Sequence, residues 1–413
     1  MDVQLEGGVK RRHAVGAPVG PLVVETITSE EALAALEPEW LALERSSGNT
    51  LPFRTFAWTA CWWRHMREGR LAVEDALAVR AVRTAEGRLV AVAPFVVTQR
   101  PAVGPLRARC AHLIGADPNM TEIRGLLAEP DLEGASYAAI HEDLLRSMGD
   151  VDWVRWTGVE ERRGAREALA SSGLRWSDGV ACYVVDLPRT WEELRASRPA
   201  NLRESLRKCY RYMQRERLEH AFEVVTTVGP GGTAIEDFLR LHAARAGLAG
   251  AVRHNDVFAH PSCRAFLFDA CERFGARGAL RIFRLHLGGK LVASRVGFVL
   301  GGCLYLYYSG VDPAYAKYGV GTTVVAEAIK QAIREGLSAV NLSTGDDPSK
   351  RRWRPREIVF REALLVSPRA LGRAKYEAWA AAERVVGASP VGLYARRLLA
   401  RRPSPRAEAG EAP

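Results

Sequence analysis

The 413-residue chain contains no run of eighteen apolar residues, which excludes an ordinary membrane-spanning helix. Its first twenty residues are polar and Gly-rich and lack the apolar core of a secretory signal, so a cytoplasmic protein is expected. Cysteine is sparse and scattered. Cys61, Cys110, Cys182, Cys209, Cys263, Cys271 and Cys303 are odd in number and form no C-x-x-C. That argues against a disulfide framework and against a structural zinc site, and leaves them as small buried hydrophobes. Lysine is scarce as well. Only seven of the 58 basic residues are Lys, so the net charge of +10 is carried by Arg. A GC-rich coding sequence gives the same skew. The positive excess fits an anionic small molecule as well as it fits nucleic acid.

Familiar site motifs are missing too. There is no G-x-x-x-x-G-K-[ST], no G-x-G-x-x-G after a first strand, no G-x-S-x-G and no H-E-x-x-H. These absences exclude a P-loop, a dinucleotide fingerprint, a nucleophile elbow and a zinc-protease helix. The pair Asp346-Asp347 has no histidine near it in sequence, and reads as a solvated turn rather than a metal site.

What is present is ordinary globular composition, 47% hydrophobic and 26% charged, at a length that suggests two domains. Residues 1–21 and 403–413 read as disordered ends. Residues 22–188 read as a mixed α/β unit, 189–370 as a second unit, and 371–402 as a closing helical segment. In the first unit, spacing predicts helices over Glu30–Arg45, Gly134–Met148 and Arg163–Ser172. Strands are predicted at Ala76–Val82, Arg88–Val97, Val151–Gly158 and Val180–Leu187, the first two forming a hairpin about Glu86-Gly87. Phe53, Phe56, Trp58, Trp62 and Trp63 read as core.

The second unit opens at Thr190, with Glu193 at capping-box spacing and a break at Pro199. Phe222–Val228 reads as a strand, and Ala234–Ala246 and Ser262–Phe274 as helices. A meander follows, Leu280–Leu287, Leu291–Leu300 and Cys303–Ser309, turned at Gly288-Gly289 and Gly301-Gly302. Then come helix Thr322–Glu335, strands Ala339–Ser343 and Ile358–Val366, and helix Leu371–Val386. The fold class is α+β with a mixed sheet.

The segment Cys303–Glu335 carries the most chemistry. A strand runs into a loop with Gly319 and Gly321 and then into a helix. Glycines admit a ligand to the backbone, and the first N–H groups of a helix are unpaired and sit at the positive end of its dipole. The backbone of Gly319, Val320, Gly321 and Thr322 is therefore a candidate phosphate cradle. An ordinary strand–loop–helix connection is the plainer reading. Strand alternation puts Tyr305 and Tyr307 on one face and Tyr308 on the other. Tyr308 and Asp312 lie nearest the loop and are the first candidates for acid or base work. His242 is a further candidate base, against a structural role. Arg203, Arg207, Arg211 and Arg215, spaced by four, form a stripe that is either a solvated face or an anion site.

Taken together, these stretches resemble the GNAT acyltransferase superfamily, and within it the CelD-like and BioF2-like acetyltransferase domains related to FemAB aminoacyl transferases. The resemblance rests on NLRESLRKCYR (Asn201–Arg211), LHAAR (Leu241–Arg245), LGGKLVASRVGF (Leu287–Phe298), LYYSGVDPAYAKYGVGT (Leu306–Thr322) and STGDDPSKRRW (Ser343–Trp353). It implies two GNAT-like halves, the C-terminal one complete. It also implies direct transfer of an acyl group from acetyl-CoA or a longer acyl-CoA to an amine or hydroxyl, without a metal or a covalent enzyme intermediate. Lys350, ahead of Trp353 in the last motif, is expected to contact substrate, as are Arg203 and Arg207. The acceptor is expected to be a small molecule or glycan in the cleft between halves, with cell-envelope or exopolysaccharide work implied. The pyrophosphate loop departs from the superfamily pattern. Ala316 stands where Gln or Arg leads, and Lys317, one position later, is the candidate substitute. An aminoacyl-tRNA donor and a non-catalytic binding module are the alternative readings.

Overall fold

The computed structural model describes residues 20–388 except 102–103, 105–106, 118, 161–164, 170–172, 230–231 and 247–255. The expected disordered ends therefore lie outside the described residues, apart from Gly20 and Pro21, as do five of the ten residues of the expected helix Arg163–Ser172.

Strand β1 (Val23–Ile27) leads to α1 (Glu30–Ala35), capped by Ser29, whose hydroxyl accepts from Ala32 N at 3.1 Å. One helix was expected over 30–45. There are two, because Pro38 cannot continue α1 and instead occupies the first turn of α2 (Glu37–Ser46). Thr55 caps α3 (Phe56–Met66), which buries Phe56, Trp58, Trp62 and Trp63 as core. Next come β2 (Gly69–Arg70), β3 (Val73–Leu77), β4 (Val79–Arg83), β5 (Leu89–Ala93) and β6 (Phe95–Arg100). The hairpin about Gly87 is present, but each expected strand is cut, at Ala78 and at Pro94. Pro94 has no N–H for a ladder, and the chain crosses there from one sheet to another. The half continues with β7 (Ala108–Leu113), β8 (Leu127–Ala128), α4 (Glu133–Arg146), β9 (Trp153–Glu160), α5 (Ala165–Ala168) and β10 (Arg175–Asp186).

Thr190 accepts from Glu193 N at 3.2 Å and starts α6 (Trp191–Ser197). Pro199 separates it from α7 (Ala200–Arg215). Then follow β11 (His220–Val225), α8 (Ala234–Ala246), α9 (Pro261–Ala276), β12 (Leu280–Leu287), β13 (Lys290–Leu300) and β14 (Cys303–Val311). After these come α10 (Val320–Arg334), β15 (Ala339–Thr344), α11 (Pro348–Arg351), β16 (Arg356–Val366) and α12 (Ala370–Ala388).

Strands β1, β4, β5 and β8 form a small sheet. The other twelve form one long sheet in the order β11-β12-β13-β14-β15-β10-β16-β9-β7-β6-β3-β2. Two of its pairs are parallel: β14 with β15, joined through α10, and β7 with β9, joined through α4. Each half thus contains one parallel β–α–β unit on a mixed α+β sheet. Strand β10 lies between β15 and β16, and β16 pairs with β9, so the two halves share strands at their junction. Helices α3, α8 and α9 cover one face of β12–β14, packing Trp58, Phe238 and Phe266 against Phe298 and Tyr307. Helices α7 and α10 cover the other, packing Leu206, Val324 and Ile329 against Phe283, Leu304 and Leu306. All seven cysteines are free. No described helix is long and apolar enough to cross a membrane.

Candidate active site

Strands β14 and β15 pair from Cys303/Ala339 to Tyr305/Asn341 and no further. Beyond that point the sheet opens. A β-bulge on β14 adjoins the opening: register with β13 moves two residues, Gly297 to Arg295, while β14 moves three, Leu306 to Ser309. Tyr305 and Tyr307 share a face, as alternation predicts, but the extra residue turns Tyr308 toward that face as well. Tyr307 and Tyr308 are brought together, ring centroids 4.6 Å apart, and all three phenols reach the same segment of the first half. Tyr305 donates to Glu122 Oε2 at 2.5 Å, Tyr307 to Met120 O at 2.5 Å, and Tyr308 to Asn119 O at 2.8 Å. The Arg295 guanidinium donates to the bulge carbonyls of Leu306 and Tyr307, at 3.2 and 3.4 Å.

The core tryptophans of α3 hold that segment in place. Trp58 Nε1 donates to Thr121 Oγ1 at 3.0 Å and Trp62 Nε1 to Asp117 Oδ2 at 3.0 Å. Glu122 thus sits between Tyr305 and Ser343, whose hydroxyl donates to it at 2.8 Å. Burial raises the Glu122 pKa, against the pull of those two donors and of Lys350 and Arg295. Ser343 has a φ of +72°, rare for a non-glycine residue, so the strained end of β15 lies at this site.

Lys350 reaches the opening from α11, whose N-cap is Asp347. Its ammonium is bonded to Thr344 O. Burial first, and Arg295 second, push its pKa down to about 8. Burial and the neighbouring Arg245 push Arg295 down to about 10. Arg245 is itself bonded to Ser309 Oγ. Three cations therefore gather around Glu122 and Asp347, giving a positive floor suited to an oxyanion or a carboxylate.

At the candidate phosphate loop, Gly319 is left-handed, φ +63°, and a Cβ there would lie 2.4 Å from Cys209 Sγ. The N–H groups of Gly319 and Thr322 are taken by Ala316 O and Gly319 O. Among the described residues, this leaves the N–H groups of Val320 and Gly321 open at the start of α10. A Cβ on Gly321 would meet nothing nearer than Val311 Cγ1 at 3.8 Å, so space lies before these donors. Arg352, which the sequence reading passed over, bonds to Thr322 Oγ1 and puts a guanidinium at the loop that Ala316 leaves without one. Lys317 is turned away. It pairs with Glu216 at 3.3 Å and stacks on Tyr318.

The remaining sequence candidates are placed as follows. His242 is buried, with Nδ1 donating to Ser309 O at 3.1 Å and its ring 5.4 Å from that of Tyr308. Asp312 accepts from Ala314 N at 3.0 Å and caps the turn Pro313–Tyr318. Arg203 and Arg207 are exposed on α7, and Glu204 pairs with Arg207 and Arg211. The structure thus brings Tyr308, His242 and Lys350 to the opening, and sets Asp312, Lys317, Arg203 and Arg207 in other surroundings. Glu122, Arg245 and Arg295 were not singled out, because single charged residues in strands and loops carry no spacing signal. A cavity of about 280 Å3 lies at the opposite ends of β14 and β15, lined by Cys303, Ala339 and Arg54. None of the sequence candidates lines it.

Residues 200–351 match the family of acetyltransferase (GNAT) domains. The chain therefore carries a GNAT acetyltransferase domain, and its fold is shared with FemX. Against the crystal structure of FemX the TM-score is 0.56 at 11% identity, over 79% of this chain and 95% of that one. A conserved protein of unknown function from Bacteroides thetaiotaomicron aligns with a TM-score of 0.49 at 14% identity, over 83% of this chain and 100% of that one. A tandem GNAT protein from the clavulanic acid biosynthesis pathway aligns with a TM-score of 0.44 at 15% identity, over 85% and 100%. No curated protein matches.

Proposed function

We propose that this chain is an acyltransferase that moves an acyl group from a CoA thioester to an amine or hydroxyl at the opening between β14 and β15. The observation that carries the reading is that opening. It lies inside the matched GNAT domain, with the unpaired start of α10 on one side and Lys350, Arg245 and Arg295 on the other. Val320 N–H, Gly321 N–H and Arg352 are the groups that would hold donor phosphates. A pKa of about 8 makes neutral Lys350 accessible near physiological pH, so it is the proposed base. The acceptor's proton passes to Lys350, its nitrogen or oxygen bonds to the acyl carbon, and the C–S bond breaks. The thiolate then takes up a proton and leaves as CoA. Arg245 and Arg295 offset the charge on the tetrahedral oxygen. Tyr308 keeps its proton, because burial raises its pKa well above the phenol range, and it positions rather than ionises.

An aminoacyl-tRNA donor would need the Arg stripe of α7. Glu204 interrupts that stripe and neutralises part of it, so CoA is the favoured donor. The test is thermal stabilisation by CoA, acetyl-CoA, longer acyl-CoAs and tRNA. A ligand at 100 times its Kd adds about 2.7 kcal/mol. Stabilisation by a CoA species, lost in Gly321→Val, is expected. No response to any CoA species would overturn the reading, and the tRNA sample would then separate a tRNA-dependent enzyme from a binding module.

A further inference from the structure

The half without the donor loop has a cavity of its own, of about 180 Å3. It lies on β6, β7 and β9 and is bounded by Trp379 of α12. Its walls include Arg100, Arg124, Arg155, His112 and Trp153. His112 is fixed by Thr98 Oγ1 at 2.7 Å and Leu113 O at 3.0 Å. Burial pushes its pKa down to about 4, so it adds no charge at neutral pH.

The three arginines are a different matter. Among the described residues, none of them is in an ion pair and none of their side chains donates a hydrogen bond. Arg155 has only the face of Trp379, 5.4 Å to its centroid. Arg124 feels Asp117 and Glu362 only at longer range, and burial together with Arg155 lowers its pKa. Asp117 is already committed to Trp62, Met120 and Thr121. Arg100 is exposed and Arg155 half-buried, but Arg124 is largely withdrawn from water, and a guanidinium so placed without a counter-charge is costly and ordinarily paired. Here the missing partner faces a cavity with two indoles, Trp153 and Trp379, packed 5.1 Å apart.

We propose that this cavity binds a small organic anion, a carboxylate or phosphate monoester on a single flat ring. Arg124 and Arg155 take the anionic head, since planar forks match such groups bidentately, and the indoles take the ring. The volume admits one ring rather than a nucleotide. Arg124 is two residues from Glu122, so the occupant would sit at the far end of the segment that lines the transfer site. The proposal stands apart from the donor reading.

The test is calorimetric titration of the full chain with benzoate, phenyl phosphate and benzamide. Benzoate or phenyl phosphate binds, and which of them binds tighter identifies the head group. Benzamide, which has the ring without the charge, binds at least about tenfold more weakly. Arg124→Met and Arg155→Met each weaken the anion by about tenfold or more, whereas Gly321→Val, in the donor loop, leaves it unchanged. Unliganded Arg124→Met melts higher than the wild type, because an unpaired charge has been removed, and this separates lost binding from lost folding. Failure of both acids to bind the wild type would overturn the proposal. So would equal binding of benzamide, or binding that survives in both Arg variants.

Discussion

The phenol of Tyr305 donates to Glu122 at 2.5 Å, and that bond ties β14 of one half to a loop of the other. It sits one residue before the bulge that opens the sheet. The bond thereby anchors the strand beside the proposed site to the loop of the other half.

Glu122 should make stability depend on pH in a definite direction. Its folded pKa lies above the ordinary 4.5, so the folded state holds the proton longer than the unfolded state does. Stability is then lost as pH rises from 4.5 through the folded value. Glu122→Gln should flatten that part of the profile while keeping partners for Tyr305 and Ser343. Glu122→Ala should cost about 3 kcal/mol, because two buried hydroxyls lose their acceptor. Urea denaturation across the acid range checks both, and an unchanged slope in the Gln variant would contradict the assignment.

Lys350 has the opposite sign. Its folded pKa of about 8 lies below the ordinary 10.5, so the unfolded state binds more protons between these values. Stability relative to Lys350→Met should rise from pH 8 to 10.5. Turnover of the wild type should climb through an apparent pKa near 8, and Lys350→Met should lose about a hundredfold or more in kcat. A flat pH–rate profile would remove Lys350 as the base.

Gly310 marks where α8 meets β14. A Cβ at this position would lie 2.5 Å from His242 N and 2.6 Å from Leu241 C, both backbone atoms that cannot rotate away. Gly310→Ala should destabilise the protein by about 1–3 kcal/mol and shift His242 and Tyr308. Thermal melting measures the first effect. A variant as stable as the wild type would mean that α8 is free to slide.

Arg352 is the proposed substitute for the leading Gln or Arg that Ala316 displaces. Arg352→Gln should raise KM for a CoA donor about tenfold with little change in kcat, since a phosphate contact serves ground and transition states alike. Ala316→Arg, in the Arg352→Gln background, should recover part of the loss. Initial-rate kinetics with varied donor decide it.

Most of the fold was legible in the sequence. Helix α8 and strand β12 fall on their expected bounds, because spacing of apolar residues marks their faces directly. The capping pair Thr190 and Glu193 placed α6 correctly for the same local reason. What local pattern could not carry was any event that depends on a distant strand. The cuts at Ala78 and Pro94 reflect two sheets competing for one hairpin. The bulge at Tyr307 and Tyr308 appears only in the register with β13. The site divides similarly. Lys350 and the glycine loop were visible as motifs, whereas Glu122 reaches Tyr305 across 183 positions of chain, a distance no spacing rule spans.

The interlaced order β15-β10-β16-β9 also bears on how the chain is made. Strands β9 and β10 leave the ribosome long before β16, the strand that joins them. Until β15 is made, β10 has no partner on either side, and until β16 follows, β10 and β9 each present an open edge. Such edges invite pairing with other chains. A nascent chain stalled before β16 should be a client for chaperones, and a gene cut between the halves should yield two insoluble fragments rather than two working ones.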